Sequence, residues 1–249
     1  MLKIISWNVR GLERPEKKRA VHKLIRGERP ALMSIQETKM DSIDATLLRK
    51  IGGGAYLNNI ESVEAVASAG GLISMWNDAV FWVSQVISHQ WYLVLVGKFI
   101  LEDLECVICN IYAPNGDAER ARFWGQLISL KEQLQIPWCI ARDCNVVRFP
   151  HERKGGQFAV GPSRDFEDFI QKGEFLDINL CGRAFTWSNN REAVSMARLD
   201  RFLIPVEWVQ CFPDIKQWGL NLSLLDHCPI ALGSERVNWG PIPFKFYNN

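Results

Sequence analysis

Short runs of apolar residues, separated by polar and turn residues, recur along most of the chain. The first two, Leu2–Trp7 and Ala31–Gln36, have the length and apolar content of strands that are buried on both faces. Later runs predict further strands at Ala55–Ile60, Gly71–Trp76, Phe81–His89, Trp91–Leu101, Leu104–Tyr112, Ile136–Arg142, Ala184–Trp187, Ala197–Leu203, Ile215–Gly219 and Pro229–Leu232. The pattern therefore indicates a protein built largely from sheets.

Helical spacing of apolar residues predicts helices between some of these strands. They span Glu16–Arg26, Asp41–Ile51, Asp117–Gln135 and Ser163–Lys172. Asp117 is expected to cap the third helix, whose apolar face would carry Phe123, Leu127, Leu130 and Leu134. Strands and helices in mixed order favour two sheets packed face to face with helices outside. In such a sandwich, strand ends from both sheets meet at one rim.

The composition fits a globular domain with a sizeable core. Of the 249 residues, 47% are hydrophobic and 23% are charged. Residues 1–233 are predicted to form one domain, and Ser234–Asn249, rich in Pro, Gly and Asn, a tail or the start of a linker. The net charge of +1 gives no global sign of nucleic-acid binding. Basic residues concentrate in residues 1–30 and Arg142–Lys154, which fits a phosphate-bearing substrate or a solvated helix face.

The seven Cys residues are scattered, which predicts reduced core residues in an intracellular protein, nuclear or cytoplasmic. Cys106 and Cys109 form a CxxC, but in a strand they point to opposite faces, and no second pair completes a zinc site. Lys3 and Arg10 interrupt the apolar start, so no signal peptide is predicted. No run approaches the roughly 20 apolar residues that a membrane span needs.

Polar residues follow the predicted strands at several points. Asn8, Glu37 and Asp143 each come directly after an apolar run, and Asn145 follows Asp143 at the spacing that places both on one face of an extended segment. Farther along stand Asp200 and the adjacent Asp226 and His227. Oxygen ligands, an acid that positions water and an imidazole are what metal-assisted hydrolysis of a phosphodiester requires.

Each of these residues also has a plain structural interpretation. Asn8 alone is typical of a turn, and Glu37 could be a surface residue paired with Lys39 rather than a cation ligand. Tyr112, just before Ala113-Pro114, could donate to a phosphate or simply pack at an interface. Asp200 could orient His227 and fix its tautomer, or it could form a salt bridge with Arg198 or Arg201.

The motifs carry a family resemblance when they are taken in order. They are Trp7-Asn8, Gln36-Glu37-Thr38, Asn110-Ile111-Tyr112-Ala113-Pro114, Asp143-Cys144-Asn145, Thr186-Trp187, Arg198-Leu199-Asp200-Arg201-Phe202-Leu203 and Asp226-His227-Cys228-Pro229-Ile230. The series resembles the endonuclease/exonuclease/phosphatase superfamily, which includes DNase I and the apurinic/apyrimidinic endonucleases. Trp7–Leu12 and Arg198–Leu203 are more specifically similar to the endonuclease domain of plant LINE-type (non-LTR) retrotransposon polyproteins. The likeness covers about residues 2–233.

This resemblance implies a DNase I-like α/β fold, a four-layered sandwich of two packed mixed sheets flanked by helices. It implies a Mg²⁺-dependent nuclease, with Mn²⁺ as an alternative ion, that nicks DNA and leaves a 3′ hydroxyl. It also implies a monomer with no membrane partner; in a full-length relative a linker and a reverse transcriptase domain would follow. The implied roles are metal ligation by Glu37 and Asn8, water activation by Asp143 beside Asn145, phosphate contact by Tyr112 and His227, orientation of His227 by Asp200, support of the metal or His227 by Asp226, and nucleic-acid binding by Arg10 and Thr186.

Some residues depart from the family pattern. Arg142 and Cys144 stand where the pattern Gly-Asp-Phe-Asn has Gly and Phe, and Leu225 stands where Ser often precedes Asp-His. Arg10 replaces an Asp that is frequent in repair enzymes, which argues against a repair function. Three functions stay open: an endonuclease weakened at these positions, a non-catalytic DNA-binding remnant, and a phosphoesterase of the same superfamily that acts on a small phosphate or an inositol lipid.

Overall fold

The computed structural model describes residues 2–43, 51, 56–66, 70–189, 193–221 and 226–234, and only the backbone of Arg142. The strands are β1 Lys3–Asn8, β2 Leu32–Gln36, β3 Asn59–Val63, β4 Leu72–Trp76, β5 Phe81–His89, β6 Tyr92–Phe99, β7 Leu104–Tyr112, β8 Trp138–Asp143, β9 Arg153–Lys154, β10 Leu176–Asp177, β11 Leu180–Cys181, β12 Trp187–Ser188, β13 Met196–Ala197, β14 Asp200–Ile204, β15 Ile215–Gly219 and β16 Ile230–Ser234. The helices are α1 Pro15–Glu28, α2 Asp117–Gln133, α3 Val160–Lys172 and α4 Val206–Cys211, with a 3₁₀ turn at Pro150–Glu152.

The strands form two large mixed sheets and one small sheet. The first large sheet has the order β11-β15-β16-β1-β2-β4-β3, and the second has the order β10-β14-β8-β7-β6-β5. Each large sheet contains a parallel pair, β1 with β2 and β7 with β8, flanked by antiparallel strands. The small sheet, β12-β13-β9, is joined to residues 226–228 by the bridge between Trp187 and His227 and by neighbouring backbone hydrogen bonds.

The apolar faces of these elements define four layers. Ile4 and Leu32 of the first large sheet and Ile108 and Phe202 of the second belong to one buried cluster between the sheets. On the outside of the first sheet, α1 contributes Val21 and other residues to a second cluster. On the outside of the second sheet, α2 and α3 bury Phe123, Trp124, Leu127, Phe166 and Phe169 in a third cluster. The predicted four-layered sandwich is therefore confirmed.

The strand alternation explains the separate surroundings of the two cysteines in β7. Cys106 lies in the cluster between the sheets, and Cys109 lies in the cluster under α2 and α3, as alternation predicts. The expectation that all cysteines are core residues is wrong for Cys181, which is exposed, and for Cys211, which is half-buried. No described helix is long and apolar enough to cross a membrane.

Several local predictions need correction. Gly116, not Asp117, caps α2, and the Asp117 carboxylate instead pairs with Arg120 in the first turn. The predicted strand Ala197–Leu203 is two elements, β13 and β14, and α4 was not predicted. Ser234 ends β16 rather than starting a tail. The predicted helix Asp41–Ile51 lies outside the described residues apart from residues 41–43 and 51, as do Leu225 and residues 235–249.

A buried polar contact joins the two large sheets close to one rim. Gln36 Nε2 donates to Asn110 Oδ1 at 2.7 Å and to Ser6 Oγ at 3.0 Å. Asn110 Nδ2 in turn donates to the carbonyl oxygen of Ile73 at 2.9 Å. Because Gln36 directly precedes Glu37, and Asn110 lies two residues before Tyr112, this contact sets the spacing between the sheets where these two residues lie.

Candidate active site

The predicted site residues meet at one rim because of how the strands are paired. The parallel strands β1 and β2 end together, with Asn8 opposite Gln36. The parallel strands β7 and β8 end together, with Tyr112 opposite Asp143. The antiparallel strand β14 begins at the same edge, with Asp200 opposite Asp143. The ends of these five strands therefore bring their polar residues close together.

Asn8 links the acidic residues of the two sheets. Its Nδ2 donates to Glu37 Oε2 at 3.0 Å and to Asp143 Oδ2 at 2.8 Å, and its Oδ1 accepts the backbone N–H of Arg10 at 2.9 Å. Asn8 is fully buried. Its donors, rather than its oxygen, face the carboxylates, so this geometry makes Asn8 an orienting group for two acids. Metal ligation by Asn8 stays a prediction.

Glu37 is a buried acid on an unusual backbone. Only 7% of the residue is exposed, yet its Oε1 lies 3.0 Å from Lys39 Nζ. The ion pair between Glu37 and Lys39, which the sequence left open as an alternative to cation binding, is therefore present. However, Glu37 is buried and is not a surface residue. Its φ of 54° is left-handed, as is the φ of 49° at Asn145. Such conformations in residues other than glycine carry strain and concentrate at functional sites.

Asp143 accepts hydrogen bonds at both of its carboxylate oxygens. Its Oδ1 accepts the backbone N–H of Asn145 at 2.9 Å while Oδ2 accepts from Asn8, and Asn145 Nδ2 donates to the carbonyl oxygen of Ala113 at 2.7 Å. Burial raises the pKa of Asp143, and the charge of Asp200 acts in the same direction, while the charge of His227 opposes it. Asp143 is thus a fixed carboxylate with raised basicity, as activation of water requires.

His227 forms a buried pair with Asp200. Its Nδ1 lies 3.0 Å from Asp200 Oδ2, and its Nε2 lies 3.8 Å from Asp143 Oδ2. Burial of the ring disfavours its charged form, but the charge and hydrogen bond of Asp200 and the charge of Asp143 outweigh it and raise the pKa of His227 to about 9. The charged form of the ring is therefore stabilised.

The alternative partners of Asp200 are engaged elsewhere. Arg201 Nη1 donates to Glu152 Oε1 at 2.8 Å and to Asp177 Oδ2 at 2.7 Å. Arg198 Nη2 donates to Asp177 Oδ1 at 2.6 Å. These four buried residues form one ion-pair cluster on the other side of β14, so Asp200 is available to His227.

Tyr112 and Asn115 lie on the far side of the acids. Burial raises the pKa of Tyr112 to about 12, and the charges of Glu37 and Asp143 add to the effect, while side-chain hydrogen bonds with Asn115 and Asn145 oppose it. The phenol therefore stays protonated, which a donor to phosphate requires. Asn115 was not among the predicted site residues; its position directly after Pro114 at the end of the Tyr112 motif was the available signal.

Arg10 and Asp226 form an ion pair at the mouth of the site. The Arg10 side chain is 51% exposed and that of Asp226 is 15% exposed. Lys17 Nζ donates to the carbonyl oxygens of Val9 and Arg10 at 2.8 and 2.7 Å, which ties the loop after β1 to α1. Arg10 is therefore placed where an approaching phosphate could exchange with Asp226, as its predicted nucleic-acid contact requires.

Thr186 does not fit the nucleic-acid contact predicted for it. The residue is 2% exposed, and its hydroxyl oxygen accepts the backbone N–H groups of Leu199 and Asp200, both at 3.0 Å. The side chain faces the protein interior. Of the departures, Cys144 is fully buried in the cluster under α2 and α3, and the side chain of Arg142 and all of Leu225 lie outside the described residues.

The donor set of the site fits a hard cation on the Glu37 side. Glu37, Asp143 and Asp200 are buried within a network whose nearby cations include Lys39, His227 and, at the mouth of the site, Arg10. Buried carboxylates are costly unless positive charge offsets them. Ligand atoms of Asp143, Asp200 and His227 also lie within 4.8 Å of one another. However, Asp200 already occupies Nδ1 of His227, so these two are better described as a hydrogen-bonded pair with Asp143 3.8 Å from Nε2 than as part of a metal centre.

Comparisons with known proteins agree with this architecture. The AP endonuclease of Leishmania major superposes with a TM-score of 0.71 at 16% identity, covering 93% of this chain and 86% of that one. The AP endonuclease of Archaeoglobus fulgidus gives 0.71 at 14% identity, covering 94% and 100%. The 3′-5′ exonuclease of Neisseria meningitidis gives 0.73 at 14% identity, with the same coverage.

At such identities the structures show a shared fold alone. A comparison with curated proteins finds no match. The model of the endonuclease/exonuclease/phosphatase family matches residues 5–216, from within β1 to within β15. With that match across most of the chain, and with the four-layered sandwich, the protein belongs to the endonuclease/exonuclease/phosphatase family.

Proposed function

We propose that this protein is a divalent-metal-dependent DNA endonuclease that hydrolyses a phosphodiester and leaves a 3′ hydroxyl. The observation that carries the proposal is the pair of hydrogen bonds from Asn8 to Glu37 and Asp143. They place a candidate cation ligand on one sheet beside a candidate water-activating acid on the other. The His227–Asp200 pair completes the set, with Nε2 of His227 3.8 Å from Asp143.

Each residue then has a role that its surroundings support. Glu37, oriented by Asn8, would hold Mg²⁺ or Mn²⁺, which when bound supplies a Lewis acid that offsets phosphate charge. Asp143 accepts a proton from the attacking water, whose oxygen forms a bond to phosphorus while the bond from phosphorus to O3′ breaks. The electron pair of that bond leaves with O3′, which takes up a proton from solvent water to become the 3′ hydroxyl. His227, positively charged below about pH 9, donates to a non-bridging phosphate oxygen, and the neutral Tyr112 phenol does the same.

We further propose that the enzyme is of the retrotransposon type rather than a repair enzyme. The support comes from Arg10, whose guanidinium pairs with Asp226 and leaves that acid less free to bind a cation. A second acidic residue in place of Arg10 would instead add negative charge beside Asp226. DNA is the proposed partner, and a weakened rate caused by Arg142, Cys144 and Leu225 stays a prediction.

A plasmid assay tests this function. Nicking of supercoiled DNA should require Mg²⁺ or Mn²⁺, stop with EDTA, and yield nicks that a DNA polymerase extends without prior phosphatase treatment. The matched controls are Glu37→Gln and a surface variant, Glu64→Gln. Binding of DNA without nicking under every metal condition would favour the non-catalytic remnant. Release of phosphate from small phosphate esters or inositol lipids without nicking would favour the other phosphoesterase.

A further inference from the structure

Thr186 occupies a buried point beside the strand that carries Asp200. Its hydroxyl oxygen accepts the backbone N–H groups of Leu199 and Asp200, both at 3.0 Å. A hydroxyl oxygen has two acceptor sites, so these two donors occupy both. Its own backbone N–H donates to the carbonyl oxygen of Ala197 at 3.0 Å. The start of β14 is thus fixed to Thr186 through two hydrogen bonds, and the end of β13 is fixed to it through a third.

The backbone of the same short segment reaches the residues around His227. The carbonyl oxygen of Thr186 accepts the N–H of Cys228 at 2.8 Å. Trp187 pairs with His227 in an antiparallel bridge, and Ser188 N–H donates to the carbonyl oxygen of Asp226 at 2.9 Å. Residues 186–188 therefore hold residues 226–228 on one side, while the Thr186 hydroxyl holds Asp200 on the other.

This arrangement matters because Asp200 and His227 come from separate segments of the chain. Their hydrogen bond, at 3.0 Å between Oδ2 and Nδ1, needs both backbones at a set distance. A small displacement of a positioned catalytic group is enough to slow a reaction strongly. Leu199 and Asp200 would also lose their hydrogen-bond acceptor without the hydroxyl, and buried N–H groups without an acceptor favour rearrangement of the backbone.

We propose that Thr186 is a positioning residue, whose hydroxyl holds the backbone of Asp200 at the distance from His227 that the carboxylate–imidazole hydrogen bond requires. The effect on activity rests on the function proposed above. The hydrogen bond between Asp200 and His227 is present in the protein without DNA. It can therefore be measured independently of activity.

The test compares the wild type with Thr186→Val and Thr186→Ser. Val matches the size of Thr but has no acceptor, whereas Ser keeps the hydroxyl. NMR spectra should show the Nδ1 proton of His227 as a downfield resonance in the wild type, assigned by its loss in His227→Gln. We expect Thr186→Ser to keep this resonance and Thr186→Val to move it upfield or broaden it beyond detection.

The kinetic part of the test separates positioning from binding. In Thr186→Val, kcat for nicking should fall on the order of tenfold or more while KM stays within about threefold, and Thr186→Ser should restore kcat. A Val variant that keeps the wild-type resonance and kcat, even with a lower melting temperature, overturns the proposal. If the wild type does not nick DNA, the proposed function fails, but the resonance still decides the role of Thr186.

A second variant covers the case in which Thr186→Val does not fold. Thr186→Ala leaves room for a water molecule near the two N–H groups, so it should fold more readily. It is expected to weaken the His227 resonance relative to Thr186→Ser. An Ala variant with the wild-type resonance and wild-type kcat would overturn the proposal in the same way.

Discussion

Two buried charged clusters lie on opposite sides of the start of β14, and they are built differently. Arg201 belongs to a cluster of guanidinium groups and carboxylates with Arg198, Glu152 and Asp177, and Arg148 Nη1 approaches Asp177 Oδ2 at 3.7 Å. The neighbouring Asp200 belongs to the site cluster, where the buried carboxylates Asp143 and Asp200 share one imidazole, that of His227. The first, balanced cluster pairs its carboxylates with guanidinium groups of the chain, whereas in the second, under the proposed function, a bound cation would offset the acids.

The pKa values of acids in the two clusters shift in opposite directions. Burial would raise the pKa of Glu152, but the hydrogen bonds and charge of Arg201 outweigh it and lower that pKa to about 2. In the site, burial raises the pKa of Asp143. Ionised Glu152 therefore stabilises the fold, whereas ionised Asp143 lowers its stability.

The largest expected effect is on activity in the site cluster. Asp143→Asn and His227→Ala should each lower the nicking rate on the order of 10²-fold or more, because each removes a group that takes part in proton transfer or charge stabilisation. Nicking assays measure both rates, and thermal unfolding checks that each variant is folded. An active Asp143→Asn protein would mean that the role of this acid is misassigned.

The next effect concerns stability in the balanced cluster. Glu152→Gln leaves two buried guanidinium groups with one carboxylate, so the free energy of unfolding should fall by about 3–5 kcal/mol. Urea-induced unfolding measures this change in the free energy of unfolding. The matched control is Glu167→Gln, which removes the more exposed partner of Arg148 and should cost about 0–1 kcal/mol. If the two variants lose the same free energy of unfolding, the buried network is no more stabilising than the more exposed pair, and the prediction is wrong.

A smaller effect separates the clusters by pH. The pKa of His227 is raised from 6.5 to about 9, so its contribution to stability is complete below pH 6.5 and is lost as pH rises through 9. The pKa of Glu152 is lowered from 4.5 to about 2, so its contribution is complete above pH 4.5 and is lost as pH falls through 2. The stability differences of His227→Gln and Glu152→Gln from the wild type should shrink at opposite ends of the pH scale. Parallel pH profiles would contradict this.

The smallest effect concerns Arg10 at the mouth of the site. Arg10→Gln should change the free energy of unfolding by about 0–1 kcal/mol, because the Arg10 side chain is half exposed. It should weaken DNA binding and reduce the slope of log affinity against log salt by about one, if Arg10 contacts a phosphate. Fluorescence anisotropy at several salt concentrations measures the slope. An unchanged slope would leave Arg10 as the partner of Asp226 alone.

The sequence was informative where local patterns decide structure. Apolar runs located β7 and β15 with the observed bounds, and polar residues at strand ends located Asn8, Glu37 and Asp143. These predictions succeed because the burial and the termination of a strand are determined by residues that are neighbours in the sequence. The convergence of the polar residues depends on strand order and register, which long-range packing determines.

The sequence was less informative where a residue's role depends on distant partners. Thr186 looked like a nucleic-acid contact because it belongs to a motif, but its direction is set by the N–H groups of Leu199 and Asp200. The balanced cluster was not predicted, because Glu152 and Arg201 are 49 residues apart. The choice of partner for Asp200 likewise needed the structure.

The most direct test of the contrast between the clusters is the nicking rate of wild type, Glu37→Gln and Glu167→Gln as a function of Mg²⁺ concentration. Glu37→Gln keeps the shape of the side chain but removes the charge that would hold the cation. We predict that wild type and Glu167→Gln nick DNA with saturable dependence on Mg²⁺, and that Glu37→Gln stays inactive at every concentration while remaining folded. Equal nicking by Glu37→Gln, or nicking by wild type that persists in EDTA, would contradict the account.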